Sequence, residues 1–420
     1  MQTTRPRGWS NCCPGTGRAI RPKTPLPLNP HRAAALGGCL QISRDLGEIA
    51  GGFTLRVYDA GRVQRAGGLA GVVSRIKRAD AIEILADDER LLVGFVDATE
   101  VSWTETSLDF SVTGRDKTGD LVDCAAAPDG PAEYRNVTLT DLARRLCQPF
   151  GITARAEVDV GPVFPRFALD PDETIMDALE KACKQRAVLA LSDGVGGLVL
   201  TRSGQNRAPA GLSLPGNVAA GHASSSTEER FARYIVKGQS GSARGTGGPA
   251  LASGAAPLEE ALPPPAATER ARIIRTGLAV DPEITRHRPK VFLSRTESGG
   301  ASLQTQAEWR MRVARGRSDV LAYTVPGWRA GADRRLWRPN ELCHVQDAPG
   351  GITGDMLIRG LRFTVGDKGA ATELKLVGPE AFDLEDEGTR RRRRDPRGSP
   401  AGDSTARELT PDLPAARPRG

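Results

Sequence analysis

The chain has 420 residues, of which 39% are hydrophobic, and it is rich in Gly (48) and Pro (30). Its formal net charge of +7 comes from the two ends: residues 1–40 carry six basic and no acidic side chains, residues 381–420 carry nine basic and eight acidic ones, and the body between them is neutral. A neutral body excludes a protein that wraps DNA through its phosphates. No apolar run reaches the roughly 18 residues that a membrane-spanning helix needs, and no apolar stretch follows the N-terminal arginines, so neither a membrane span nor a secretory signal peptide is expected.

The cysteines are odd in number and scattered, and none of them forms a C-x-x-C pair. This usage favours reduced, buried thiols in a cytoplasmic product over a disulfide framework or a zinc site. The seven are Cys12, Cys13, Cys39, Cys124, Cys147, Cys183 and Cys343.

Short strands dominate the sequence after residues 1–40, which show no periodicity and are expected to be a disordered or divergent extension. In "GGFTLRVYD", Phe53, Leu55 and Val57 share one face of a predicted strand. Similar patterns predict strands at 81–85 and 91–98 and a hairpin at 101–114. A series of short strands favours an antiparallel barrel or sandwich, and we assign a first β-barrel domain to residues 41–130.

Helical periodicity appears in residues 131–205, for which a small α+β module is predicted. Thr138 and Asp141 resemble a capping box at the start of the first helix, and Pro149 and Gly151 mark its end. The two apolar stripes are Leu139, Leu142, Ala143, Leu146 and Cys147, and Ile175, Ala178, Leu179, Ala182 and Cys183. The module closes with "VLALSDGVGGLVLTR", which predicts two strands around a Gly-rich turn.

A second β-barrel domain is predicted at residues 206–380. Its first part contains two low-complexity segments rich in Gly, Ala, Ser and Pro, 204–224 and 239–268, on either side of a strand at 233–238. The stretch "SLQTQAEWRMRVARG" predicts a helix with a face of Leu303, Ala307, Met311 and Ala314. Strands are then predicted at 320–328, 342–345, 356–365 and 372–378.

The run "GRDKTGD" (114–120) raises the question of nucleophilic chemistry. Asp116-Lys117-Thr118-Gly119 is close to the phosphorylation motif of P-type ATPases, but such a pump needs several membrane-spanning helices. Lys117-Thr118-Gly119 also matches one serine β-lactamase signature, and "SRIK" (74–77) fits S-x-x-K, but the spacing and order of the two motifs differ from that family. We therefore interpret the run as a structural turn in which Asp116 and Asp120 accept backbone N–H groups and Lys117 pairs with either carboxylate.

Other chemical signals are weak. No phosphate-binding loop is present, and "GVGG" (194–197) lies in a predicted hairpin, which makes it a turn. The four histidines are scattered, and His344 is predicted to be an ordinary strand residue. The acidic run at 385–387 and Arg390–Arg394 belong to a charged tail, 381–420, that is expected to be disordered. We therefore predict no catalytic, cofactor-binding or metal-binding residue, and we expect no cofactor.

The order of these segments resembles the baseplate hub proteins of Mu-like contractile phage tails. The run Thr113–Cys124, "TGRDKTGDLVDC", carries the most distinctive part of the resemblance. It continues in "TIMDALEKACKQRAVLALSDGVGGLVLTR", in "AEWRMRVARGRSDVLAYTVPGWR" and in "MLIRGLRFTVGDKGAATELKLVGPEAF". The resemblance covers about residues 41–383, although residues 1–40 do not match the strand with which members of this family begin.

The resemblance implies a structural, non-enzymatic protein of the virion tail baseplate, assembled in the host cytoplasm from phage or prophage genes. It implies a β-rich multidomain (α+β) fold of two related antiparallel β-barrel domains with an inserted small α+β module. Three chains would then form a homotrimeric ring of six barrels, which joins the hexameric tail tube to a trimeric spike protein and leaves a channel for DNA in transit.

Two alternatives remain open at this point. A type VI secretion spike component has a similar N-terminal half, but it continues into a further barrel and a long β-helix, whereas this chain ends in a charged, Pro-rich stretch. A tail-associated cell-wall hydrolase would need a carboxylate or Cys/His constellation, which the sequence does not offer.

Overall fold

The computed structural model describes residues 26–28, 38–59, 76–104, 108–128, 130–239, 274–294, 302–367 and 369–384. Within these residues the protein is rich in strands, most of them in one large antiparallel sheet. None of the helices in these ranges is long and apolar enough to cross a membrane. Ser74, His31, Cys12, Cys13, the loop 240–268 and the tail from residue 385 onward, including 385–387 and Arg390–Arg394, lie outside the described residues.

The first β unit contains six strands. They are β1 (Leu26–Leu28), β2 (Gly38–Asp45), β3 (Glu48–Asp59), β4 (Ala81–Ala86), β5 (Glu89–Trp103) and β6 (Leu108–Asp116). The alternation in "GGFTLRVYD" is confirmed, because Phe53, Leu55 and Val57 are buried and Arg56 is exposed. The predicted strands at 91–98 and 101–103 are in fact one strand, β5, which bends at a bulge between Val96 and Ala98 and then pairs with β6 as the predicted hairpin.

The α+β module follows β6 and has its own hydrophobic core. Its elements are α1 (Gly119–Asp123), β7 (Glu133–Val137), α2 (Leu139–Cys147), a 3-10 turn (Gln148–Phe150), β8 (Thr153–Ala156), β9 (Phe164–Ala168), α3 (Ile175–Lys184), β10 (Leu189–Ser192) and β11 (Gly197–Thr201). Both predicted helical stripes are confirmed, since every residue in them is buried. Thr138 caps α2 by accepting the Asp141 N–H, and Thr174 forms a complete capping box with Asp177 at the start of α3.

The described strands after the module belong to the large sheet, to a three-stranded sheet and to a two-stranded pair. The elements of this part of the chain are β12 (Asn206–Arg207), β13 (Leu212–Leu214), β14 (Ala220–Ser225), β15 (Arg233–Gln239), β16 (Ile274–Val280), β17 (Pro289–Leu293), α4 (Leu303–Ser318), β18 (Asp319–Pro326), β19 (Arg329–Ala330), β20 (Arg335–Leu336), β21 (Glu341–Asp347), β22 (Ile352–Gly366), β23 (Gly369–Val377) and a final 3-10 turn (Pro379–Phe382). Strands β19 and β20 form the two-stranded pair. Strands β15, β16 and β17 form a separate sheet that packs on α4 through a small core of its own. The predicted face of α4 contributes to that core, with Ala307 fully buried.

The low-complexity segment 204–224 has strands where the sequence pattern predicts none. It contains β12 and β13, which pair in parallel with β21, and most of β14, which pairs antiparallel with β18. All six side chains of β14 are exposed, so this strand is held by its backbone hydrogen bonds and leaves no apolar alternation in the sequence.

The large sheet contains two β units with the same topology. In the first unit the strand order is β1-β4-β5-β6-β3-β2, and in the second it is β13-β21-β22-β23-β18-β14. Taken in chain order, β1 to β6 therefore correspond to β13, β14, β18, β21, β22 and β23. Even the details agree, because β1 and β13 are the strands that pair in parallel, and each unit ends in one short helical turn. The predicted relation between the two units is confirmed at the level of strand order.

The two units are joined edge to edge. Strand β2 of the first unit pairs antiparallel with β22 of the second, from Leu40 opposite Val365 to Asp45 opposite Gly360. One hydrophobic core, which includes Ile42 and Phe363, runs through both units. The described strand pairings do not close either unit into a barrel, so closed barrels stay a prediction.

The start of the chain differs from the expectation for residues 1–40. Strand β1 lies inside this segment and pairs in parallel with β4, and β2 begins at Gly38. Pro27 is tolerated in β1 because, among the described strands, only β4 pairs with it, and an edge strand does not need every N–H group as a donor. The segment supplies the first strand of the unit, where the sequence showed no periodicity.

Candidate functional site: the junction built on Asp116

The "GRDKTGD" run lies where the first β unit passes into the α+β module. Strand β6 continues to Asp116, two residues beyond the hairpin predicted at 101–114, and α1 begins at Gly119. Residues 119–123 form one helical turn, which the sequence pattern did not predict. Leu121 of this turn is fully buried in the core of the module. The run thus connects two hydrophobic cores within a few residues.

The carboxylate of Asp116 is the centre of the junction. The residue is 2% exposed. Its Oδ2 accepts the backbone N–H of Gly51 at 3.0 Å and the hydroxyl of Ser192 at 2.7 Å, and its Oδ1 accepts the N–H of Thr118 at 2.9 Å. The Thr118 hydroxyl also lies 2.5 Å from Oδ1 and 3.3 Å from the carbonyl oxygen of Ile49. One carboxylate therefore ties together β3, the turn after β6 and the end of β10.

The turn between β10 and β11 docks directly on the first β unit. The N–H of Val93 in β5 donates to the carbonyl of Gly194 at 2.9 Å, and the N–H of Lys117 donates to the carbonyl of Val93 at 3.1 Å. Asp193 stabilises this turn by accepting the N–H groups of Val195 and Gly197. The predicted turn at 194–197 is confirmed, and its role is to hold the module on the sheet.

Arg44 of β2 passes beneath this turn, and its Nη2 donates to the carbonyl oxygen of Leu91. Burial lowers the pKa of Arg44, while the nearby carboxylates of Asp116 and Asp193 act in the opposite direction. Gly194 has a φ of +77°, and a Cβ at this position would lie 2.0 Å from the Arg44 guanidinium. Only glycine combines this backbone conformation with this close approach.

Lys117 does not have the predicted role. Within the described structure it forms no ion pair with Asp116 or Asp120, and its aliphatic stem instead lies over Gly196 of the β10–β11 turn. Asp120 likewise accepts no side-chain hydrogen bond from the described residues, so the expectation holds for Asp116 and fails for Asp120. Burial raises the pKa of Asp120.

This geometry argues against nucleophilic chemistry at Asp116. Both carboxylate oxygens are engaged with backbone and hydroxyl donors, and the side chain is out of contact with solvent. A phosphoryl acceptor needs an oxygen that a substrate can approach in line. The arrangement is that of a structural carboxylate.

A polar cleft of about 710 Å³ lies beside the junction. Residues of the first β unit, the module and the second β unit line it, and arginines are prominent among them. Four of these form ion pairs: Arg90 with Glu83, Arg155 with Asp193, Arg207 with Asp355, and Arg335 with Glu341. The described lining residues include no histidine and no cysteine, so among them the cleft offers neither an imidazole base nor a thiol nucleophile.

The other residues singled out in the sequence have structural surroundings. His344 lies on β21, as predicted, and its Nδ1 is 3.0 Å from Asp355 Oδ1. Cys147, Cys183 and Cys343 are buried, and burial raises the pKa of each thiol to about 12. Within the described ranges, no group of three or more His, Cys, Asp and Glu side chains is arranged to hold a metal ion.

The junction and the sheet organisation can be compared with known proteins. Three family models match consecutive parts of the chain: the N-terminal domain of Mu phage baseplate assembly protein GpP-like proteins at residues 39–116, the second domain of baseplate hub protein gp44-like proteins at 118–202, and the fourth domain of Mu phage baseplate assembly protein GpP at 299–385. The boundary between the first two models falls within the "GRDKTGD" run, at the junction.

Whole-chain relatives agree with these matches. The baseplate hub protein gp44 of Escherichia phage Mu is 31% identical over 308 residues, which cover 72% of this chain and 76% of that protein. The crystal structure of the 43 kDa tail protein of prophage MuSo2 from Shewanella oneidensis is similar with a TM-score of 0.66 at 29% identity, covering 82% of this chain and 95% of that one. The tail protein from Neisseria meningitidis MC58 shares the fold, with a TM-score of 0.61 at 22% identity over 82% of this chain and 93% of that one. The chain therefore belongs to the family of baseplate hub proteins of Mu-like phage tails, structural components of the virion.

Proposed function

We propose that three copies of this hub form a ring that adapts the hexameric tail tube to a trimeric central spike and leaves a channel for DNA. The observation that carries the proposal is the strand-for-strand correspondence of the two β units in one chain. Three chains would then present six related units to a sixfold partner, while the chain as a whole repeats only three times. A chain with one such unit would not reconcile the two symmetries.

Charge supports passage of DNA through such a ring. Residues 41–380 carry no net charge, and the basic excess of the chain lies in residues 1–40 and 381–420. Strong phosphate binding along the body would hold the DNA in place, because each neutralised phosphate adds to the affinity through counterion release. A body without a basic excess favours sliding over phosphate binding.

The test is the mass of the assembly in solution. Multi-angle light scattering of the purified chain, alone and mixed with the spike protein encoded beside it, should give a species of about 134 kDa per hub ring, three times the 44.7 kDa chain. A monomer of 44.7 kDa under both conditions contradicts the proposal. Assembly that requires the spike still supports it.

We further propose that the hub acts without enzymatic activity. The engaged carboxylate of Asp116 and the match to baseplate hub proteins support this view. A zymogram with peptidoglycan tests it, and no lysis band is expected from the purified chain. A clear band from the unmodified chain would overturn this proposal, and its persistence in an Asp116→Asn variant would assign the hydrolysis to other residues.

A further inference from the structure

The two long strands of the large sheet, β5 and β22, have equivalent positions in the two β units. Each is fifteen residues long. Each contains one bulge against its hairpin partner, between Val96 and Ala98 in β5 and between Ile358 and Gly360 in β22. Aligning the bulges places Val101 at the position of Phe363 and Trp103 at the position of Val365.

The edges of these strands are used differently. One edge of β22 pairs with β23, and its other edge pairs first with β21, through Leu357, and then with β2, from Gly360 onward. One edge of β5 pairs with β6, and its other edge pairs with β4 only as far as Phe95. No described strand covers the edge from Ala98 to Trp103. This open edge of β5 is the counterpart of the edge that β2 occupies on β22.

Burial follows the same pattern. On β22, Phe363 and Val365 are 0% and 3% exposed under the cover of β2. At the equivalent positions of β5, Trp103 is 74% exposed and Val101 is only partly buried. A large aromatic side chain at the end of an uncovered edge is typical of a binding surface.

The molecule also contains the strand that would cover this edge. The counterpart of β2 in the second unit is β14, which pairs with β18 as β2 pairs with β3. Strand β2 has a second partner, β22, whereas β14 has no second partner among the described strands. Its sequence, Ala-Gly-His-Ala-Ser-Ser, is short and small, which allows a neighbouring strand to approach closely.

We propose that β14 of one copy pairs with the open edge of β5 in the next copy, in the register that β2 adopts on β22. This inference rests on the proposed ring and specifies the contact that builds it. Within the chain, Ile42 lies opposite Phe363 and Leu40 lies opposite Val365. In the same register, Ala223 of one copy would lie opposite Val101 of the next, and Gly221 would lie opposite Trp103. At Gly221 the ring of Tyr323 already covers the place of a side chain, 2.9 Å from where a Cβ would lie, so the indole would pack beside this ring.

The contact explains how the ring closes. The contact is heterologous, since β14 and β5 are different surfaces. Such contacts form a closed ring when the rotation that relates one copy to the next is a whole fraction of a full turn. The junction between copies repeats the junction inside each chain, so six β units follow one another with the same neighbour relation. The strand addition also covers two sheet edges that would otherwise invite aggregation.

Cysteine cross-linking tests the register directly. Gln41 pairs with Thr364, and the equivalent pair is His222 of one copy opposite Ser102 of the next. Both side chains are exposed in the single chain. A mixture of Ser102→Cys and His222→Cys chains, assembled and then mildly oxidised, should give a disulfide-linked dimer that neither variant gives alone, and the double variant should give a covalent trimer. The unmodified chain, oxidised in parallel, controls for its native cysteines.

A surface substitution tests the contact independently. Trp103→Glu should weaken assembly by about tenfold or more, because a charge replaces a side chain buried in the contact. Leu293→Glu is the matched control, since Leu293 is 73% exposed on the separate β15–β17 sheet, and it should leave assembly unchanged. Neither change should alter the melting temperature of the monomer.

The outcomes separate this inference from the proposed function. A trimer by mass, with no disulfide between positions 102 and 222 and no effect of Trp103→Glu, overturns the strand-edge contact and leaves the ring intact. A monomer under all conditions overturns both. A trimer that forms the cross-link, and that loses assembly in Trp103→Glu but not in Leu293→Glu, supports both the ring and the strand-edge contact.

Discussion

Removing the Asp116 carboxylate is the most informative single perturbation of the junction. In an Asp116→Ala variant the N–H groups of Gly51 and Thr118 lose their acceptor while remaining inside the structure, and the Ser192 hydroxyl loses its partner. A buried donor left without an acceptor costs about 1–3 kcal/mol, so the two backbone groups alone amount to about 2–6 kcal/mol. Since domains are stable by only about 5–15 kcal/mol, this loss is large.

The assay is urea unfolding followed by tryptophan fluorescence and, separately, hydrogen exchange of individual amides. Asp116→Ala should lower the urea midpoint markedly, and the Gly51 and Thr118 amides should lose their protection. Asp120→Ala in the same motif is the matched control. Its carboxylate accepts no hydrogen bond from the described residues, and burial disfavours its charged form, so this variant should change the urea midpoint little.

The reasoning fails if the two variants are equally stable. Equal midpoints would mean that the hydrogen bonds of Asp116 are replaced by water or by relaxation of the turn, and that the motif does not fasten the module to the sheet. A loss of protection at the β10–β11 turn, including Gly194, in Asp116→Ala alone would support the fastening role.

Three further predictions concern other parts of the molecule. Gly114→Ala should destabilise the first β unit strongly, because a Cβ there would lie 2.1 Å from the carbonyl oxygen of Phe95. Gly130→Ala is the control, and it should leave the melting temperature unchanged because no atom lies within 4 Å of the added Cβ. Equal melting temperatures of the two variants would contradict this prediction. Asp281→Ala should lower the free energy of unfolding by about 3–5 kcal/mol, because the buried guanidinium of Arg230 loses its bidentate partner. Hydrogen exchange in β15 and β16 should rise. Glu283→Gln should have little effect, because the Glu283 side chain is 59% exposed. Burial raises the thiol pKa of Cys147, Cys183 and Cys343 to about 12, so these thiols should resist iodoacetamide at pH 8 in the folded chain and react in urea. Modification of any of them under native conditions at the rate of a free thiol would contradict their burial.

Sequence patterns predicted the elements that bury a regular stripe. The stripes of α2 and α3 and the alternation in β3 come from side chains that all meet a core, so period and burial coincide. The relation between the two β units was expected from the family resemblance. Its strand-by-strand form was not, because β13 is only three residues long and β14 leaves no apolar signal.

The junction was predictable only in part. A turn aspartate that accepts backbone N–H groups is a local feature, and Asp116 with Thr118 confirmed it. Its contacts with Gly51 and Ser192 join residues 65 and 76 positions apart, and no local pattern encodes such a distance. The ion pair expected for Lys117 was wrong because the β10–β11 turn, brought in by the tertiary fold, takes up the space beside its stem.

The central claim is that a chain with two equivalent β units closes into a ring of six units in three copies. Electron cryomicroscopy of the hub bound to its tube protein tests it most directly, in end-on views of the particle. The account predicts six similar densities around an open hole, with strict threefold symmetry and strand density continuous from β14 of one copy to β5 of the next. A ring with one such density per chain, or a hub whose second unit lies away from the hole, would contradict it.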